Sequence, residues 1–95
     1  MFIVFLKFSA NRAQAGQFME GHNQWLKHGF DNNWFLVAGS LQAQAGGCVL
    51  AHNITHADLE KYVGTDPFVE NNVVCSEIFE VSPSKVDERL AFLMG

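Results

Sequence analysis

Among the titratable side chains of this sequence, His22 stands in the middle of an apolar helical stripe, flanked by Phe18, Met19, Trp25 and Leu26. A histidine in that setting has two readings. It is a core residue satisfied by a backbone carbonyl, or it is a neutral imidazole able to act as a general base near neutral pH. Asp66, in Asp66-Pro67-Phe68, is open in the same way. Asp before Pro commonly starts a helix, its carboxylate taking backbone N–H groups. The alternative is that it accepts the Nδ1–H of an imidazole, fixing the tautomer and stabilising the imidazolium. Proximity to His22 in space would separate these roles; local sequence does not.

The other candidates are weaker. His52 ends one predicted element and His56 begins the next, so their spacing of four does not fall within one helix, as a metal pair of that spacing requires. His28, near a helix C-terminus, suits the helix dipole. Cys48 and Cys75 are too few and too far apart for a disulfide framework or a zinc knuckle and read as small buried thiols. Nothing in the sequence around Cys48 marks a stabilised thiolate. No phosphate-binding loop, nucleophile elbow or dinucleotide fingerprint is present, and neither a cofactor nor a metal is expected.

The elements that must position His22 and Asp66 follow from hydrophobic period. The run 1–8 is apolar on both parities and predicts a central strand. Ala15, Phe18, Met19, His22, Trp25, Leu26 and Gly29 share one helical face over about Asn11 to His28, with Asn11 and Gln14 as a capping box and Gly29 as the left-handed C-terminal cap. A second strand covers 34–39, a Gly-containing loop 42–47, and a third strand 48–51. Thr55 and Asp58 cap a short helix carrying Leu59, Tyr62 and Val63. Asp66 and Pro67 start another helical turn, 73–81 is a fourth strand, and a terminal helix runs over 84–94, with apolar positions Val86, Leu90 and Leu93.

The order β-α-β-β-α-β plus a terminal helix is the ferredoxin-like pattern, in a single domain of 95 residues with its core in 1–81. Two crossover helices cover one face of a four-stranded sheet. Strands one and two are apolar on both faces, so the second face calls for a second sheet. Packing two copies face to face makes a dimeric α+β barrel, whose interior would be a small-molecule cavity shared between protomers and faced by His22. Nine Phe residues in so short a chain agree with association.

Composition limits the partners. Six basic residues against ten acidic ones, a formal charge of −4 and no basic cluster argue against nucleic acid. No apolar run approaches the roughly 20 residues of a membrane span, and the start of the chain fits a secretory signal poorly. A cytoplasmic location is the expectation.

In three places the chain resembles the YCII (YciI-like) family of dimeric α+β barrel proteins: the apolar first strand, His22-Asn23-Gln24-Trp25-Leu26 followed by Val37-Ala38-Gly39-Ser40, and Asp66-Pro67-Phe68. In that family a histidine of the first helix and the aspartate of a D-P-(F/Y) motif form the active-site dyad. The resemblance therefore implies that His22 and Asp66 are catalytic. Activities assigned in the family include dehydrochlorination of chlorinated hydroxyhydroquinones, and related barrels include muconolactone isomerases. Many members carry arginine where this chain has Met19 and proline where it has Ser40. The expected function is a cofactor-independent lyase or isomerase acting on a small cyclic or aromatic compound, with Phe18, Met19, Trp25, Ser40 and Phe68 touching it. The alternatives are a non-catalytic small-molecule-binding dimer and a purely structural oligomerisation unit.

Overall fold

The computed structural model describes residues 1–94. Its elements are β1 (Phe2–Phe8), α1 (Ala15–Asp31), β2 (Phe35–Leu41), β3 (Gly46–Ala51), α2 (His56–Val63), α3 (Pro67–Glu70) and β4 (Val74–Glu80). Short 3₁₀ segments lie at Arg12–Gln14, Gln42–Gln44 and Glu88–Met94. The sheet is antiparallel throughout, in the order β2-β3-β1-β4, as the ferredoxin-like pattern requires.

Alternation along β1 divides its side chains between two faces. Phe2, Val4 and Leu6 are buried under the helices, with Val4 opposite Val49 on β3 and Ile78 on β4. Trp25 and Gly29 of α1, Leu59 and Val63 of α2 and Phe68 of α3 close that core from above. Each fully buried aliphatic or aromatic side chain contributes about 1.5–3 kcal/mol. Ile3, Phe5 and Lys7 point to the opposite face, which no helix covers. There Phe5 meets Phe79 edge-on at 5.8 Å, while Val37 and Phe79 are about half exposed.

Several boundaries differ from the sequence expectation. The first helix opens with a 3₁₀ turn and begins as α only at Ala15, because the Asn11 side chain donates to Asn71 O (2.9 Å) and caps nothing. Gly29 is not the C-terminal cap but a buried residue inside α1. Asn33, at φ 61°, takes the left-handed position, with Trp34 N donating to Gly29 O and Asn33 N to Phe30 O. That bond pair is a Schellman motif, in which Asn substitutes for Gly. The third strand starts at Gly46, two residues before the predicted start. Over 84–94 the predicted helix is replaced by irregular chain and the 3₁₀ segment, since no residue there is buried and Asp87 draws Arg89 N and its guanidinium onto itself. Cys75 is exposed and Cys48 half-buried, so neither is a core thiol; β1 separates their strands and both are unpaired. Among the described residues no helix is long and apolar enough to cross a membrane.

Gly29 is required by packing. A Cβ there would stand 2.2 Å from Phe35 Cε2. Gly29→Ala should therefore lower stability by about 1–3 kcal/mol, as overpacking does. Gly16→Ala in the same helix meets nothing within 4 Å and should instead gain up to about 1 kcal/mol of helix propensity. Denaturant melts of the two variants should move in opposite directions.

Candidate functional site

Gly21 allows α3 to approach α1. A Cβ at this position would lie 3.0 Å from Pro67 Cγ, so the missing side chain admits the tripeptide Asp66-Pro67-Phe68 beside the middle of α1. The cap of α3 then meets His22. Asp66 Oδ1 accepts Phe68 N at 3.0 Å and His22 Nδ1 at 2.9 Å, and Oδ2 lies 3.1 Å from the same ring nitrogen. The contacts with Phe68 N and with the His22 ring, posed by the sequence as alternatives, are both made by one fully buried carboxylate. The ring stacks on Phe68, with centroids 4.0 Å apart and planes within 2°. A single tripeptide thus supplies both the acceptor and the flat surface that fix the imidazole.

An acceptor-only carboxylate at Nδ1 places the proton of the neutral ring on that atom and leaves Nε2 with its lone pair. Nε2 has no hydrogen-bond partner among the described residues, yet no partnerless side-chain nitrogen or oxygen there is buried. It is therefore open to solvent. His22 lines a cavity of about 300 Å³, the lower end of the range for small-molecule sites. Leu6, Phe8, Leu26, Val49 and Phe68 give it apolar walls, while the Asn23 amide and Ser40 hydroxyl add neutral polar groups. Such an arrangement can accept a proton from a small, largely apolar ring compound and hold its polar substituents.

This cavity lies between α1 and the helix-facing side of the sheet, within one chain. It is not between two sheets, as the sequence suggested, because His22 points from α1 toward the sheet face that its own helices cover. Met19, Ser40 and Phe68 line it as expected. Phe18 and Trp25 do not. Phe18 packs on the core, and Trp25, buried, donates Nε1 to Tyr62 O (3.0 Å) and stacks on the Tyr62 ring at 5.1 Å. Tyr62 returns a bond to Trp25 O at 2.7 Å. Burial, then the Asp66 charge, pushes its phenol up to about 12, so it stays a donor at neutral pH. Trp25 is thus a clasp between α1 and α2. Asn23 and Leu26, the wall residues one and four positions beyond His22, were missed as ligand contacts: Asn23 lies outside the apolar stripe, and Leu26 resembles any core leucine. His52 follows β3 and His56 opens α2, so they share no helix.

No protein-family model matches the chain, and no curated protein does. The fold is shared with solved structures. Among them is 5-chloro-2-hydroxyhydroquinone dehydrochlorinase (TftG) from Burkholderia phenoliruptrix AC1100, in complex with 2,5-dihydroxybenzoquinone, matching with a TM-score of 0.69 over 85% of this chain and 93% of that chain. At 11% sequence identity the likeness is one of fold. It bears out the ferredoxin-like α+β fold of the single chain and leaves membership of the family as a resemblance.

Proposed function

We propose that this chain is a cofactor-independent lyase or isomerase that acts on a small cyclic or aromatic compound by general acid-base chemistry. His22 Nε2 takes a proton from carbon or from a phenolic oxygen, and Asp66 holds the ring in the required tautomer. The observation that carries this reading is the 2.9 Å contact of His22 Nδ1 with the buried Asp66 carboxylate, while the ring lines an apolar cavity and its opposite nitrogen has no partner among the described residues. When the ring takes up its proton, Asp66 and the π face of Phe68 stabilise the resulting imidazolium. Base catalysis of this kind contributes about 10²- to 10⁴-fold in rate.

The dehydrochlorinase fold suggests a first substrate. Loss of HCl from 5-chloro-2-hydroxyhydroquinone moves one phenolic proton to the chlorine-bearing carbon and a second to the base as chloride leaves with its bonding electron pair, so that C–H replaces C–Cl in the resulting hydroxybenzoquinone. No oxidant is consumed. Incubating the pure protein with that compound and following chloride release tests the proposal. Saturable chloride release above the spontaneous rate supports it. Saturable binding without chloride release would contradict dehydrochlorination and favour a non-catalytic binding protein.

We further infer a homodimer assembled through the uncovered sheet face, where Ile3, Phe5, Leu50, Val37 and Phe79 gather. Leaving such a face in water costs about 25 cal/mol per Å² of apolar surface. Light scattering at micromolar concentration should give twice the chain mass, and Phe79→Glu should shift it toward one chain mass. A folded wild-type monomer at those concentrations would remove the inference.

A further inference from the structure

Beside the His22 cavity, and sharing Phe8, Ser40 and Gly46 with it, lies a second depression walled by Arg12, Leu41 and the 3₁₀ segment Gln42–Gln44. The Arg12 guanidinium carbon lies 4.4 Å from the centroid of the Phe8 ring, which lines both spaces. Stacking of this kind holds the guanidinium plane and leaves its N–H edge free to bind. The backbone beneath is fixed as well. Ser9 N donates to Val73 O and Asn11 N to Asn72 O, each at 2.9 Å, and the Asn11 side chain is bonded to Asn71 O.

Place, together with the lack of a partner, sets Arg12 apart. Lys7, Lys27 and Arg89 each pair with a carboxylate, Glu77, Asp31 and Asp87 respectively, and Lys61 and Lys85, which form no ion pair among the described residues, lie outside the walls of both spaces. Among the described residues Arg12 makes no ion pair. The walls of the two joined spaces contain no Asp or Glu, so Arg12 is the permanent charge on them. In a chain of formal charge −4, an unpaired cation on walls free of carboxylates favours an anion at this place.

We propose that Arg12 binds the anionic group of an acidic, single-ring substrate at the mouth of the His22 cavity. The inference rests on the reading of that cavity as a ligand site and adds the class of ligand. A carboxylate or ionised phenol fits the fork of N–H donors, in two parallel bonds where geometry allows. Holding the anion at the mouth directs the far side of the ring toward His22 Nε2, so one contact selects the substrate and orients it.

The test compares two probes of nearly the same shape, 4-hydroxybenzoate and 4-hydroxybenzamide, titrated into the full chain while the amide resonances of Asn23, Ser40 and Gly47 are followed by NMR. Wild type should bind the carboxylate about five- to tenfold more tightly than the amide, the range of a partly exposed charge-assisted pair. Arg12→Gln should abolish that preference by weakening the carboxylate alone, Arg12→Lys should retain part of it, and added salt should erode it in wild type. Equal binding of both probes at the cavity amides, unchanged in Arg12→Gln, would overturn the role of Arg12 and leave the cavity as a ligand site. Failure of both probes to move those amides would overturn the role of Arg12 and the cavity as a ligand site together.

Discussion

Replacing His22 with Gln should lower turnover by about 10²- to 10⁴-fold while leaving the fold in place. Gln can still offer an amide N–H to the buried Asp66 carboxylate, but it carries no titratable nitrogen into the cavity. His22→Ala is expected to abolish turnover too, yet it is a poorer experiment. It leaves Asp66 Oδ2 without its protein partner, because the His22 ring is the hydrogen bond that oxygen receives. An unsatisfied buried acceptor costs about 1–3 kcal/mol, so the Ala variant loses stability whether His22 is catalytic or structural. The Gln variant separates the two readings. Activity and denaturant stability should be measured on the same preparations, and near-wild-type turnover in His22→Gln would remove the proposed base.

Asp66→Asn should reduce kcat by about 10²-fold or more, with KM changing much less. Asn keeps one oxygen, which continues to accept Phe68 N at the start of α3, and Asn caps helices about as well as Asp. Stability should therefore fall by no more than about 1 kcal/mol. The second atom becomes an NH₂ donor facing His22 Nδ1. To meet a donor the neutral ring must present a lone pair at Nδ1, which moves its proton to Nε2 and removes the acceptor from the cavity. If Asp66 served only as a cap, the substitution would be nearly silent in both assays. A large loss of stability with kcat unchanged would contradict the orienting role.

Much of this site was legible in the sequence, for identifiable reasons. The period of α1 placed His22 on the buried face, and Asp66-Pro67 announced a capped helical turn, because each signal depends on neighbours within four residues. That the cap also reaches His22 depends on Gly21, whose missing Cβ matters only once α3 is laid against α1. Gly29 misled for a related reason. A glycine at the end of an apolar stripe reads as a left-handed cap, whereas here it makes room for Phe35 and Asn33 turns the chain. The cavity was assigned to the wrong side of the sheet because an apolar face on β1 announces that something covers it, and does not say where empty space remains. Trp25 and Phe18 shared the stripe with His22, but three residues turn a helix by less than a full circle, and Trp25 faces α2. The terminal segment had helical spacing and no surface to bury it against.

The central claim is that Asp66 fixes His22 with the proton on Nδ1 and a free lone pair on Nε2 inside the cavity. Long-range proton–nitrogen NMR spectra of the imidazole, with nitrogen-15 labelling, read this directly and require no substrate. At a pH where the ring is neutral, wild type should show a protonated Nδ1 and an unprotonated Nε2, and Asp66→Asn should exchange the two. A wild-type ring with its proton on Nε2, or one that averages the tautomers as a free imidazole does, would contradict the account.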